Sequence, residues 1–326
     1  MQPTNVGDLY QGPFSTFCVD FIKYKRSLGR KYISEAQGLK RFDQFTLLMD
    51  YKTNIFSKEL VDKFVELQPT ETPRNRELRR LLIKQFALYL LSIGYQAYVP
   101  PSDRRSRTTR YTPYIFTEGE LSNFFKTVDN LKPMAKSPYM HQVLPVLFRF
   151  LYCCGLRISE ALNLKMADVD LTEGLLTIRH SKNDQVRLIP FSPSLQDLSI
   201  RYAQQLHPTK HPNDYFFPAH DRTRLIRENI LYHFRKLLWE SGIPYRGKGV
   251  GPRIHDFRHS YVVHSLRKSI AEGRDIYTTL PILSVFLGHQ SLAATEVYLR
   301  LTAESFPDIL QIVEKQSGRI FPPREE

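Results

Sequence analysis

The sequence has 326 residues, of which 42% are hydrophobic and 24% are charged, a composition typical of a globular protein rather than a disordered or fibrous one. Its 46 lysines and arginines exceed its 33 aspartates and glutamates, and the net charge of +13 predicts a polyanionic partner. The sequence contains no apolar run long enough for a membrane span and no signal-peptide pattern, so we expect a cytoplasmic protein without membrane contact. Its three cysteines include no CxxC pair, which supports neither a disulfide framework nor a cysteine zinc site.

The first hundred residues carry helical periodicity. Apolar residues at mixed spacings of three and four predict four helices. Ser57 is the predicted N-cap of the third helix, and Thr72 followed by Pro73 opens the fourth, which ends at Gly94. Four helices in this length predict a compact helical domain over residues 1–98.

A basic segment follows this domain. The stretch VPPSDRRSRTTRYTP, which begins at Val99, holds three prolines, four arginines and one acid without an apolar period. We predict an interdomain linker over residues 99–111. Its arginines are candidate contacts to a phosphate backbone, and a merely solvated tether is the alternative. These candidate DNA-binding residues are Arg104, Arg105, Arg107 and Arg110.

The remaining residues, 112–326, predict a domain that mixes helices with a little β structure. Thr117 caps a first helix, and MHQVLPVLFRFLYCCG predicts a long buried helix that ends at Gly155. The pattern then changes to period two in GLLTIRH and QVRLIPF, on either side of a polar turn. These two runs predict a β-hairpin, and helical patterns resume from Asp221 onward.

Four stretches of this second domain carry a shared chemical signature: CGLRISEAL, HSKNDQVRLIPF, HDFRH and LGHQSLAATEVYL. In this order and spacing they resemble the tyrosine recombinases, a family of DNA strand-exchange enzymes. The resemblance implies a two-domain, mainly α fold, with a four-helix SAM-like DNA-binding domain at the N-terminus. It also implies an α+β catalytic domain with a small antiparallel β-sheet. The implied catalytic residues are Arg157, Lys182, His255, Arg258, His289 and Tyr298.

The resemblance implies a role for each of these residues. Tyr298 would attack a DNA phosphodiester and form a covalent 3′-phosphotyrosine, which stores the energy of the broken bond. Arg157 and Arg258, with the two histidines, would stabilise the extra negative charge of the transition state, so that neither a cofactor nor a metal is required. Lys182 would protonate the departing 5′-oxygen, although HSKND replaces the glycine-flanked turn that the family usually has there.

Each residue also has an ordinary interpretation. Tyr298 could pack on an amphipathic helix, and Arg157 could form a surface ion pair with Glu160 three residues later. His255 and His259 have the spacing of two helical zinc ligands, but the residue after the first histidine is an aspartate rather than the glutamate of metalloproteases. In the recombinase interpretation His259 orients a neighbour or packs against it.

The expected function is therefore integration, excision or transposition of a mobile element by DNA breakage and rejoining. A chromosome-dimer-resolving recombinase, a non-catalytic DNA-binding protein of the same fold and a zinc hydrolase are the alternatives. The expected partners are double-stranded recombination sites and other protomers in a tetrameric synapse, and accessory proteins stay open. Residues 305–315 are the candidate helix for docking on a neighbouring protomer, with packing on their own chain as the alternative.

Overall fold

A computed structural model shows two compact units, residues 1–110 and 111–326. The structure describes residues 10–69, 71–101, 112–135, 137–179, 186–209, 211–245, 247, 251–288, 298–299 and 301–302.

The described part of the first unit is helical. Its helices are α1 (Ser15–Ser27), α2 (Ile33–Leu48), α3 (Lys58–Val65) and α4 (Pro73–Ser92). The Ser57 hydroxyl accepts a hydrogen bond from the Leu60 amide, and the Thr72 hydroxyl accepts one from the Asn75 amide, so both predicted caps are present. Gly94 lies just beyond α4 with φ +80°, a conformation that favours glycine.

The core of the first unit is built from phenylalanine rings in tilted and edge-to-face contact. Phe42, Phe56 and Phe86 are almost completely buried, with ring centroids 5.6–6.2 Å apart. Such pairs prefer tilted and edge-to-face contacts because the ring face is negative and the ring edge is positive. These contacts join α2 and α4 to the segment that precedes α3.

The second unit surrounds a larger core with helices and one small sheet. Its described helices are α5 (Glu118–Asp129), α6 (Met140–Cys153), α7 (Ile158–Ala161), α8 (Pro193–Leu206), α9 (Arg227–Glu240), α10 (Asp256–Ala271) and α11 (Ile276–Leu287). Thr117 and Glu120 form a reciprocal capping box at the start of α5, as the sequence indicates. None of the helices in the described ranges is long and apolar enough to span a lipid bilayer.

The sheet has three antiparallel strands in the order β1 (Val169–Asp170), β2 (Leu175–Ile178) and β3 (Arg187–Pro190). The predicted hairpin is β2 with β3, in which Leu176 pairs with Ile189. The two-residue strand β1 was not predicted. It is too short to show a period, and its pairing with β2 defines it. In β3, Arg187 and Ile189 are buried while the residues after each of them are exposed.

Helix α10 is anchored in the core of the second unit by Phe257. Its ring is fully buried and lies 5.0–5.9 Å from those of Phe116, Phe124 and Phe148. A hydrogen bond also fixes the position of α10, because the Ser260 hydroxyl accepts it from the Phe116 amide at 2.9 Å. The first turn of α10 is therefore held firmly, and that turn carries the HDFRH motif.

Candidate active site

Arg258 is the most deeply buried charged side chain of the predicted set, with 1% of its surface exposed. One guanidinium nitrogen donates to the Gly155 carbonyl at 2.7 Å and another donates to the Leu287 carbonyl at 2.6 Å. Burial, followed by the charge of Arg157, lowers the Arg258 pKa to about 10, so the group stays protonated at neutral pH. The arginine thus joins the end of α6 and the end of α11 to the start of α10.

Gly155 presents its carbonyl to Arg258 from a left-handed turn with φ +56°. A side chain at this position would place its Cβ 3.1 Å from both Leu287 and Tyr261. Glycine is therefore required for the conformation and for the close packing. This explains why the CGLR motif contains a glycine two residues before its arginine.

Arg157 lies at the N-cap of the short helix α7 and is partly exposed. Its backbone amide donates to Glu160 at 2.9 Å, and its guanidinium donates to the same carboxylate at 2.8 Å. Arg187 also donates to both oxygens of that carboxylate, at 2.8 and 3.2 Å. Burial alone would raise the Glu160 pKa, but the bonds from Arg187 and then Arg157 outweigh burial and leave the pKa below its ordinary value.

Tyr298 is buried, with 5% of its surface exposed, and its hydroxyl lies 2.9 Å from Nδ1 of His259. Burial raises the phenol pKa, and the positive charges of Arg258 and Arg157 oppose that rise. A negative charge on the phenol oxygen would therefore be favoured by two guanidiniums. The fold brings Tyr298 into contact with His259 of α10, although the two residues are 39 positions apart in the sequence.

His255 precedes α10 and is in ring contact with His259, with 4.7 Å between the ring centroids. His255 is exposed to solvent on one side, but desolvation by the protein on the other side lowers its pKa to about 4. The positive charges of Arg258 and Arg157 lower this pKa further. We therefore expect a neutral His255 at pH 7, in which one ring nitrogen donates a hydrogen bond and the other accepts one.

The phage integrase family model matches residues 115–305, more than half of the chain. The chain belongs to this family of tyrosine recombinases. The chain is 28% identical to the putative integrase/recombinase y4rB of Sinorhizobium fredii, a match that covers 91% of this chain and 96% of that protein. It is 27% identical to the tyrosine recombinase XerD of Lacticaseibacillus casei, over 87% of this chain and 93% of the relative. These relatives support a site-specific recombinase enzyme.

Solved structures show the same fold at lower identity. The Tn1549 transposon integrase in complex with transposon right end DNA has a TM-score of 0.63 at 14% identity, over 86% of this chain and 94% of that one. The XerH recombinase bound to its difH substrate has a TM-score of 0.59 at 18% identity, over 81% and 74% of the two chains. The predicted two-domain, mainly α fold with a small antiparallel sheet is confirmed.

The structure brings together four of the six residues that the recombinase resemblance implies to be catalytic. Those four are Arg157, His255, Arg258 and Tyr298. The charges of Arg157 and Arg258 are close enough to lower the pKa of both His255 and Tyr298, and the charge of Arg157 also lowers the pKa of Arg258. The remaining predicted residues lie outside the described part of the chain. They are Lys182, His289 and the linker arginines Arg104, Arg105, Arg107 and Arg110, and residues 305–315 lie there too.

Three further residues belong to the surroundings of this group and were not predicted as site residues: Glu160 bonds to Arg157, His259 contacts Tyr298, and Arg187 bonds to Glu160. Glu160 appeared in the sequence only as an ordinary ion-pair partner, and His259 as an orienting or packing residue. Arg187 was not predicted, although an arginine that shares a strand face with the apolar Ile189 is a signal of a buried, paired cation. The zinc interpretation has no support in the described ranges, where no three His, Cys, Asp or Glu side chains form a metal-binding group.

Proposed function

We propose that this recombinase cleaves and rejoins duplex DNA through a covalent 3′-phosphotyrosine formed by Tyr298. The observation that carries the proposal is the phenol oxygen itself, which is buried, hydrogen-bonded to His259 and subject to the charges of Arg258 and Arg157. An ordinary packing tyrosine needs no such combination of two guanidiniums and an imidazole. A nucleophile that must lose a proton and attack an anion needs all of them.

In the proposed reaction the Tyr298 oxygen attacks phosphorus, and the bond from phosphorus to the 5′-oxygen breaks. The phenol proton passes to His259, whose Nδ1 is within hydrogen-bonding distance. Arg157 and Arg258 stabilise the charge that accumulates on the non-bridging oxygens, because a guanidinium stays protonated and presents several donors in one plane. His255 and His289 add hydrogen bonds to these oxygens.

Lys182 is our proposed general acid, which gives a proton to the departing 5′-oxygen. Rejoining is the reverse reaction, in which a different 5′-hydroxyl attacks phosphorus and displaces Tyr298. The phosphotyrosine keeps the energy of the broken bond, so no external energy source is needed. The proposal includes duplex DNA as substrate, a four-protomer synapse and backbone contacts from the linker arginines. Support for the DNA substrate comes from the basic composition and from the DNA complexes of the structural relatives.

The test is adduct formation on a duplex with a nick just beyond the scissile phosphate, so that the released fragment diffuses away and the covalent complex accumulates. The wild-type chain should form a protein–DNA adduct, and Tyr298→Phe should form none. Tyr152→Phe is a matched control, since Tyr152 is a half-buried tyrosine whose hydroxyl also lies 2.9 Å from Nδ1 of a histidine, His264. Adduct formation by Tyr298→Phe, or DNA binding by wild type without any adduct, would refute the proposal.

We further propose that the biological reaction is movement of a mobile element. The similarity to a putative integrase/recombinase over almost the whole chain and the Tn1549 integrase fold support this role. Chromosome-dimer resolution is the second candidate, and the similarity to XerD favours it. Joining of two ends of a surrounding DNA segment into a circle, assayed with the DNA that flanks the gene, would support the first role. Recombination only between two copies of one chromosomal site would support the second.

A further inference from the structure

Arg187 is a buried cation that contacts two separate parts of the candidate active site. Its guanidinium donates to both oxygens of Glu160, at 2.8 and 3.2 Å, and its Nε donates to the Phe286 carbonyl at 3.0 Å. Only 8% of the side chain is exposed. A buried guanidinium with this many directed bonds has one orientation, because the planar fork must satisfy all its acceptors together.

The carboxylate shared by Arg187 and Arg157 determines the charge that the site presents. Glu160 alone would cancel the charge of Arg157, whereas one carboxylate between two guanidiniums leaves a net positive charge. Because Glu160 also accepts from the Arg157 backbone amide, its position fixes both the main chain and the side chain of Arg157. Arg187 therefore controls where Arg157 lies and how much positive charge remains there.

The Arg187 side chain also lies against the end of α11, where its Nε donates to the Phe286 carbonyl. A Cβ on Gly288 would come within 3.1 Å of Arg187 Nη1, so the side chain packs directly on the backbone there. Gly288 adopts φ +63° and immediately precedes His289 in the sequence. The neighbouring Leu287 carbonyl is one of the two acceptors of Arg258. A single side chain thus restrains the supports of both catalytic arginines.

We propose that Arg187 is a positioning residue for strand cleavage, which aims Arg157 and Arg258 at the scissile phosphate without touching it. This inference rests on the proposed function. It predicts that loss of Arg187 weakens stabilisation of the transition-state charge and leaves DNA affinity intact. A role in folding alone predicts that all properties of the enzyme decline together.

The experiment compares two nicked substrates that differ at one atom. One has a normal scissile phosphate, and the other has a methylphosphonate, in which a methyl group replaces a non-bridging oxygen and removes its charge. On the phosphate, Arg187→Met should lower the single-turnover cleavage rate at saturating DNA by about 100-fold, as loss of one transition-state donor does. On the methylphosphonate the loss should shrink to about tenfold or less, since less charge needs stabilisation.

Three variants make the comparison interpretable. Arg187→Lys keeps the charge but lacks the fork, and it should show the same preference for the neutral substrate with a smaller loss, which keeps the test open if Arg187→Met folds poorly. Glu160→Gln combined with Arg187→Met should lose little more than the more damaging single change, because the two residues act as a unit. Arg149→Met removes another two-pronged arginine, paired with Asp129 at 2.7 Å, and should cleave both substrates at the wild-type rate.

Equal losses on the two substrates for both Arg187 variants, or cleavage at the wild-type rate, would overturn the positioning role. Failure of the proposed function has a different signature, in which the wild-type chain forms no adduct with either substrate. DNA affinity, measured for each variant by fluorescence anisotropy, should stay within about threefold of wild type, since loss of transition-state stabilisation alone leaves ground-state binding unchanged.

Discussion

Replacement of His259 by phenylalanine separates two functions that its contact with Tyr298 could serve. The two rings are 5.5 Å apart, so a phenyl ring keeps much of the packing and removes only the nitrogen that faces the phenol. If the contact only orients the phenol, the loss is that of one neutral hydrogen bond, about 1 kcal/mol or roughly fivefold in rate. If His259 accepts the phenol proton in the transition state, the expected loss is about 10²- to 10⁴-fold.

We expect the larger loss, because the burial that raises the Tyr298 pKa makes an unassisted phenolate costly at neutral pH. The assay is single-turnover adduct formation on the nicked duplex, measured from pH 6 to pH 10. His259→Phe should recover part of its activity as the pH rises, since hydroxide can then remove the proton. The control is His264→Phe, which removes the matching imidazole beside Tyr152. A loss of only about fivefold that does not vary with pH would refute the proton-acceptor role and leave orientation.

Two other predictions concern the support of the site and of its domain. Gly155→Ala should destabilise the second unit by about 1–2 kcal/mol in chemical denaturation, because φ is +56° there, and it should slow cleavage further by moving the carbonyl that holds Arg258. Unchanged cleavage would show that this carbonyl is dispensable. Burial lowers the His207 pKa, so the unfolded chain binds the proton more readily and stability should fall as the pH drops below about 6.5. His207→Gln should reduce the dependence of the unfolding free energy on pH by at most about 1.4 kcal/mol per pH unit, as measured by thermal denaturation at pH 7.5 and 5.5.

The sequence predicts those parts of the fold that depend on neighbouring residues. The caps at Ser57, Thr72 and Thr117 were predicted because a cap is a contact across three residues. The hairpin was predicted because its two strands alternate with period two. Strand β1 was not, since two residues carry no period and only the pairing with β2 makes them a strand.

The same distinction applies to the candidate site. Arg157, His255, Arg258 and Tyr298 were predicted from the motifs, because their types and order match a chemical requirement. The bond between Arg187 and Glu160 spans 27 residues, and no local rule pairs a strand arginine with a particular helix carboxylate. The contact of His259 with Tyr298 similarly depends on how two distant helical segments pack. Motifs therefore predict the residues that are proposed to meet the substrate better than the residues that contact and position them.

The supports of Arg258 indicate how the site keeps its positive charge. Among the described residues no carboxylate forms an ion pair with Arg258, and its guanidinium is held by two backbone carbonyls instead. Carbonyl dipoles satisfy the donors of a buried cation without cancelling its charge, whereas a carboxylate would have to give way before a phosphate could bind. Burial of this charge has a cost in folding stability, as its lowered pKa indicates. Under the proposed function the scissile phosphate supplies the negative charge that the protein lacks beside Arg258. Binding of DNA would then offset the free energy lost when folding buries this guanidinium.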